Sequence, residues 1–336
     1  MDSIKPEVLR ACIHNIPGKK IAVVGDLMVD RYLWGSVIRI SPEAPVPVVE
    51  VESESESLGG AANVANNIQA LGALAIPVGV ISDDNAGKRL LELASRSGFP
   101  TDGIIIDKTR PTTIKTRVIA HSQHVVRVDR ESKQEISETT VRQILNFLES
   151  ILPELDAIIL EDYNKGLLTK PFIHKTIELA QKKDICITAD PKFKNFFEYQ
   201  YVTVFKPNRK ETEQALGLKL PDGYKIQDAA RHLKQRLQCE NVLITLGERG
   251  MFLLAENERE YEIPTRAQKV HDVSGAGDTV IGTLTAALAA GCSILVAATL
   301  ANFAAGVVVG EVGAVPITPE KLIKAIQDYV KQNHTI

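Results

Sequence analysis

Short apolar, partly β-branched runs alternate along the chain with longer segments in which apolar residues recur every three or four positions. The runs KIAVVGD (20 to 26), LAIPVGVIS (74 to 82), DAIILED (156 to 162), DICITAD (184 to 190), YVTVFKPN (201 to 208) and NVLITLG (241 to 247) end in polar residues or glycine. Strands buried in a parallel sheet have this character. Amphipathic segments at 62 to 72, 84 to 97, 138 to 152, 169 to 183, 209 to 216 and 225 to 238 separate them, and a last helix is expected at 319 to 332. The rhythm predicts a doubly wound, mostly parallel α/β sheet covered by helices on both faces. Ligands of such sheets gather outside the carboxyl ends of the strands, the edge that carries Asp26, Asp162, Asp190, Asn208 and Gly247.

Two regions break the rhythm. Residues 31 to 57 and 110 to 131 read as strands and turns with no helix between them. They predict a small antiparallel sheet projecting from the core, either as a β lid or as an ordinary surface excursion, with an edge open to another subunit. The uncharged stretch from 280 to 310 is long enough to span a bilayer. Its Gly, Ala, Thr and Asn content and the AAGCS break at 289 to 293 predict instead two buried helices, the second capped by Ser293.

A chain of 336 residues, 44% hydrophobic and 24% charged, can bury a large core, and residues 1 to 336 are read as one domain. The net charge of −3 supplies no field for wrapping nucleic acid, so the expected partner is a small molecule. Cys12, Cys186, Cys239 and Cys292 are widely spaced without a CxxC pair. They read as free thiols in a reducing compartment and, with no signal-like stretch at the amino terminus, predict a cytoplasmic protein.

The chemistry concentrates in HDVSGAGDTVIGTLTAAL, residues 271 to 288. A turn of Gly275, Ala276 and Gly277 before a helix would leave the amides of 275 to 278 unpaired, an anion hole suited to a transferring phosphoryl group. Asp278, in the first helical turn beside the hole, either accepts the proton of an attacking hydroxyl or merely caps the helix. A second glycine-rich stretch, LGGAANVANNIQALGA at 58 to 73, places Gly59, Gly60 and Asn63 where backbone and amide can approach a polyhydroxyl ligand.

Together, in this order, the two stretches resemble the signature motifs of the ribokinase or PfkB family of carbohydrate kinases, and the resemblance spans essentially the whole chain. It implies a ribokinase-like fold, ATP and Mg²⁺, and a single kinase domain. It assigns the role of base to Asp278 and sugar binding to Asp30 in VGDLMVDRY. Asn208 and Glu211 in KPNRKETEQALG would organise nucleotide phosphates and the magnesium water shell, the metal being held through the phosphates and reached by Glu211 via water. Thr245 and Gly247 in ITLGERG, and Asn302 in LANFAAG, would line the nucleotide pocket. The resemblance also leaves room for a monovalent cation near 272 to 313 and for a homodimer through the lid strands, with no nucleic-acid or membrane partner.

The stretches at 30 to 51, 125 to 131 and 161 to 169 resemble the branch of that family that phosphorylates the anomeric hydroxyl of D-glycero-β-D-manno-heptose 7-phosphate, a step toward ADP-heptose and the lipopolysaccharide core. A substrate that already carries phosphate needs cations away from the reacting hydroxyl. Arg39, Arg117, Arg127, Lys165 and Lys192 are the candidates, although any single one of them reads more readily as a solvated surface charge. No HxGH motif of a fused nucleotidyltransferase occurs, which predicts a stand-alone kinase. Ribose or a fructose phosphate as substrate, and a sugar or nucleotide sensor without turnover, stay open as alternatives. A dinucleotide enzyme is disfavoured because no GxGxxG follows Gly25.

Overall fold

The computed structural model describes residues 4–121, 123–220, 225–267, 270, 272–311, 313 and 315–333. The strands are β1 (Lys20–Gly25), β2 (Leu27–Ile40), β3 (Pro47–Gly60), β4 (Leu74–Ile81), β5 (Ile104–Ile106), β6 (Thr113–Ala120), β7 (Gln123–Arg130), β8 (Ala157–Glu161), β9 (Cys186–Asp190), β10 (Val204–Phe205), β11 (Asn241–Thr245), β12 (Met251–Leu254) and β13 (Glu260–Ile263). The α-helices are α1 (Pro6–Asn15), α2 (Ala61–Ala70), α3 (Asn85–Arg96), α4 (Glu138–Ile151), α5 (Lys170–Gln181), α6 (Arg209–Leu216), α7 (Ile226–Leu237), α8 (Ala276–Ala289), α9 (Ile294–Val308) and α10 (Pro319–Asn333).

Nine strands make one sheet in the order β13-β12-β11-β10-β9-β8-β1-β4-β5. Every pairing from β11 to β5 is parallel, and only β12 and β13 run against their neighbours. Strand alternation sorts the core into two layers. Ile21 and Val23 of β1 and Ala157 and Ile159 of β8 pack with α1, α2, α8 and α9, whereas Ala22, Val24, Ile158 and Leu160 pack with α4, α5 and α7. All eight are fully buried, and each of the larger ones contributes roughly 1.5–3 kcal/mol by leaving water.

The smaller sheet has the order β3-β2-β6-β7. It is mixed rather than antiparallel, because β2 and β6 run parallel, as they must when the chain returns to the core through α2, β4, α3 and β5 between them. Its strands also begin nearer the core than expected: β2 leaves the large sheet two residues after β1, and β3 runs directly into α2. The expected strand at 201 to 208 shrinks to Val204–Phe205 because Lys206 and Pro207 already turn toward α6. The uncharged stretch forms α8 and α9 as expected, although Ser293 occupies the cap position without a side-chain hydrogen bond. Among the described residues no helix is long and apolar enough to cross a membrane.

One expectation fails outright. Cys12 and Cys292 form a disulfide with Cα atoms 6.1 Å apart. Their separation of 280 residues carries no pairing signal until α1 packs on α8 and α9, and cysteine usage therefore gives no argument for a reducing compartment. Cys186 and Cys239 are free, with thiols pushed up to about 12 by burial, which leaves them inert as nucleophiles.

Candidate active site

The alternation that sorts the core also aims charge at one place. Beyond the apolar part of three adjacent strands, the next side chain on the α8 side is Glu161 on β8, Asp190 on β9 and Lys206 just after β10. Register aligns them, since Glu161 pairs with Asp190 and Lys206 follows Phe205, the partner of Ala189. Lys206 Nζ lies 2.7 Å from Asp190 Oδ2, with the two side chains only 3% and 7% exposed. Burial acts to deprotonate Lys206, but Asp190, Glu211 and Glu161 outweigh it and hold the ammonium above the usual lysine range. Burial, then Asp190 and Asp278, pushes the Glu161 carboxyl well above the ordinary carboxylate range.

Helix α8 begins over this cluster. Gly275 caps it in the left-handed region at φ 76°, and the first α-type bond runs from the Thr279 amide to the Gly275 carbonyl. The expected row of unpaired amides is shorter than predicted, because the Ala276 amide donates to Val273 O at 3.3 Å. The Gly277 and Asp278 amides have no such partner among the described residues. A Cβ on Gly277 would lie 3.9 Å from Asp190 Oδ2 and 4.0 Å from Lys206 Nζ, so the turn and the buried ion pair border the same space.

Asp278 is buried, and both its oxygens are held. Oδ2 accepts from Asn63 Nδ2 at 2.6 Å and Oδ1 from the Tyr163 hydroxyl at 2.7 Å. Burial raises its pKa above the ordinary carboxylate value, and the bonds from Asn63 and Tyr163 oppose that rise. The Tyr163 phenol is raised well above its usual range by burial and by Asp278, so it stays protonated and donates. Small residues at Ala61, Ala62 and Ala65 let α2 approach α8 closely, and the Thr279 hydroxyl fixes the approach by donating to Asn67 Oδ1 at 3.0 Å.

Tyr163 and Lys165 were not singled out as a unit by their sequence, yet buried carboxylates build the loop that carries them. Asp26 Oδ2 accepts the amides of Tyr163 at 2.9 Å and Lys165 at 3.0 Å. Asp162 accepts the Asn164 amide at 2.7 Å and the Tyr199 hydroxyl at 2.7 Å, and its carboxyl is raised to about 6 by burial and by Asp26. The motif EDYN thus spends its second acid on the loop and leaves its first facing the site.

The other expected residues divide sharply. Asn208 and Glu211 form a reciprocal capping box at the start of α6, and Glu211 Oε1 also takes Lys192 Nζ at 2.5 Å. A bridge aligns Asn208 with Thr245, beside the Gly247 turn at φ 63°. Asn302 lies in α9, its amide donating to Pro264 O at 2.7 Å, so its buried polar end is satisfied by backbone. Gly59 and Gly60 end β3 at the foot of the smaller sheet, where a Cβ on Gly59 would sit 2.6 Å from the Asp30 carboxylate. Asp30 itself is bound to Arg117 at 2.6 Å. Lys165 is paired with Glu131 at 2.5 Å and Arg127 with Asp129 at 3.0 Å. Arg39 is exposed near the far end of β2, away from the foot where Asp30 lies. The region near 272 to 313 expected to serve a monovalent cation is tied across its ends by Asp272, which accepts the amides of Ser274 at 2.8 Å and Gly313 at 3.2 Å. Val312 within it and His271 before it lie outside the described residues, as does Ser122 of the HSQH stretch.

The donor set fits a divalent cation brought in by phosphates. Among the described residues no group of three or more acidic, His or Cys side chains forms a cage. Among the same residues Glu161 Oε2 is buried without a hydrogen-bond partner, and Glu211 stands nearby on Lys192 and the Asn208 amide. One or two carboxylates plus phosphate oxygens and water is the coordination Mg²⁺ favours.

A mostly parallel sheet whose carboxyl edge joins a glycine turn at a helix start, a buried carboxylate and two lysines is an arrangement suited to phosphoryl transfer onto a small polar substrate. The comparisons make the class specific: residues 18–321 match the pattern described as pfkB family carbohydrate kinase, and the chain belongs to that family of sugar kinases. Membership implies ATP and a divalent metal. The chain is 44% identical over 309 residues to "Bifunctional protein HldE" of Desulfatibacillum aliphaticivorans and 45% identical over 307 residues to that of Helicobacter hepaticus. These matches cover 92% and 91% of this chain but 63% and 64% of the relatives, so the chain spans a little under two thirds of the curated relatives' length. Its fold is ribokinase-like. Escherichia coli phosphofructokinase-2 in complex with potassium superposes with a TM-score of 0.77 at 18% identity over 94% of this chain and 99% of that one. Arabidopsis thaliana ribokinase complexed with ribose and ATP gives 0.73 at 18% over 93% and 99%.

Proposed function

We propose that this sugar kinase transfers the γ-phosphate of ATP to the anomeric hydroxyl of D-glycero-β-D-manno-heptose 7-phosphate. The observation that carries the transfer chemistry is the placement of Asp278: a buried carboxylate in the first turn of α8, beside Lys206 and two amides that have no backbone partner among the described residues. The stretches at 30 to 51, 125 to 131 and 161 to 169, together with the 44–45% identity to the HldE proteins, support the heptose acceptor.

In this reading the acceptor hydroxyl enters against Asp278, which takes its proton as the oxygen attacks phosphorus. Asn63 and Tyr163 hold the carboxylate in one orientation. The Gly277 and Asp278 amides and Lys206 meet the charge that grows on the transferring group. Glu161 and Glu211 are the residues that would hold magnesium, directly or through water, and the ion would offset the negative charge of the nucleotide phosphates. The smaller sheet covers the sugar and excludes water. Exposed Ile38, Ile40, Val51, Val126 and Val128 on that sheet, with Val46 in the turn between β2 and β3, support a second copy of the chain as its partner.

Two measurements test this reading. Steady-state turnover across heptose 7-phosphate, fructose 6-phosphate, mannose 6-phosphate and ribose is expected to give the highest kcat/KM for the heptose; a higher value for any other sugar ends that assignment. Tyr163→Phe removes a bond that lowers the Asp278 pKa. The base then ionises at higher pH, so the acid limb of the kcat/KM profile is expected to move up and kcat to fall about tenfold. An unmoved limb would detach Tyr163 from the base.

A further inference from the structure

The space between the smaller sheet and the carboxyl edge is rich in cations, and nearly all of them are already matched. Arg117 has Asp30, Arg127 has Asp129, Lys165 has Glu131 and Lys192 has Glu211. Lys115 has no such partner among the described residues. It sits on β6 directly opposite Asp30 on β2 and Asp129 on β7, so all three share one face of the sheet. Both carboxylates, however, are taken by the arginines one row further along. Those arginines, Arg117 and Arg127, also face each other across the β6–β7 pair, an arrangement that like charges tolerate poorly without an anion.

The Lys115 ammonium is instead held 4.8 Å from the centroid of the Tyr163 ring. That ring's hydroxyl is the donor to Asp278. Tyr163 therefore touches the candidate base through its hydroxyl and, over its ring face, a lysine without a carboxylate partner among the described residues; Lys192, already paired with Glu211, stands farther from the same centroid at 5.6 Å. Partial burial, with Lys165 and Arg117 nearby, disfavours the charge on Lys115 despite the attraction of Asp30. A bound anion would relieve that cost.

We propose that Lys115 is the specificity-determining contact for the phosphate that the sugar substrate already carries, with the ring of Tyr163 as the floor beneath sugar and phosphate. The inference rests on the reading that the acceptor is a phosphorylated sugar. Lys115 stands over the ring face of Tyr163 while Asp278 takes its hydroxyl, so a phosphate held by Lys115 lies away from the sugar hydroxyl that reacts at Asp278. The nucleotide phosphates have their own cation in Lys206 on the core side, bordering Gly277. Lys115, on the smaller sheet, is thus left for the sugar.

The test compares wild type, Lys115→Met and Lys115→Arg on matched pairs: heptose 7-phosphate with free heptose, and fructose 6-phosphate with free fructose. The quantity read is the ratio of kcat/KM for the phosphorylated sugar to that for its free counterpart. Lys115→Met is expected to reduce this ratio at least about tenfold, the low end for losing a charge-assisted hydrogen bond, and Lys115→Arg to restore most of it. An unchanged ratio, or a raised KM for ATP with the ratio intact, overturns the assignment. If Lys115→Met does not fold, Lys115→Gln carries the same comparison. A wild type that prefers fructose 6-phosphate ends the heptose reading, yet a ratio that still collapses in Lys115→Met upholds Lys115. A wild type with no preference for phosphorylated over free sugars overturns the Lys115 proposal whichever sugar is best.

Discussion

Asp278→Asn is expected to lower kcat by at least about 10²-fold and to leave the KM values for sugar and ATP within a few-fold of wild type. The substitution is nearly isosteric, and the pocket can accept it. The oxygen of the new amide can still receive Asn63 Nδ2, while its nitrogen meets the Tyr163 hydroxyl, a group able to accept as well as donate. Folding and ground-state binding should therefore persist. What disappears is the capacity to take a proton from the attacking hydroxyl. Steady-state kinetics with a thermal melt as control checks this, and turnover close to wild type would remove Asp278 from the chemistry. A loss confined to KM would assign Asp278 to binding instead.

The same carboxylate illustrates what sequence alone can resolve. Its position was legible because a glycine turn before an apolar helix is a local pattern, and the strands and helices of the large sheet were legible because burial imposes its own periodicity. Its surroundings were not. Tyr163 reaches Asp278 across 115 residues and Asn63 across 215, contacts that exist only once α2, α8 and the loop after β8 meet at one edge. Lys206 was hidden inside KPNRKE, where Asn208 and Glu211 drew the functional reading although their first task is to cap α6. A signal for it did exist. Continuing the period-two alternation past the end of each strand places Glu161, Asp190 and Lys206 on the α8 side. The disulfide and the parallel β2–β6 pairing had no comparable local signature, because each joins segments that the intervening fold brings together.

Lys206→Met is expected to destabilise the protein by about 3–5 kcal/mol and to lower kcat/KM for ATP by at least about 10²-fold. Methionine fills the same volume, so the effect isolates charge. In the wild type the ammonium is enclosed with three buried acids, Asp190 at 2.7 Å and Glu161 and Asp278 within electrostatic reach. Removing it strips the Asp190 carboxylate of its ion-pair partner at 7% side-chain exposure, a far larger loss than the net worth of the pair. Pairing the change with Asp190→Leu should recover most of the stability, since an apolar pair of similar volume carries no stranded charge. It should not recover activity, because the lysine that borders the Gly277 turn is gone. Urea denaturation and ATP kinetics on the single and double variants separate the two effects. A single variant within about 1 kcal/mol of wild type would mean that water reaches Asp190, and a double variant with restored turnover would show that the transferring phosphate never depended on Lys206.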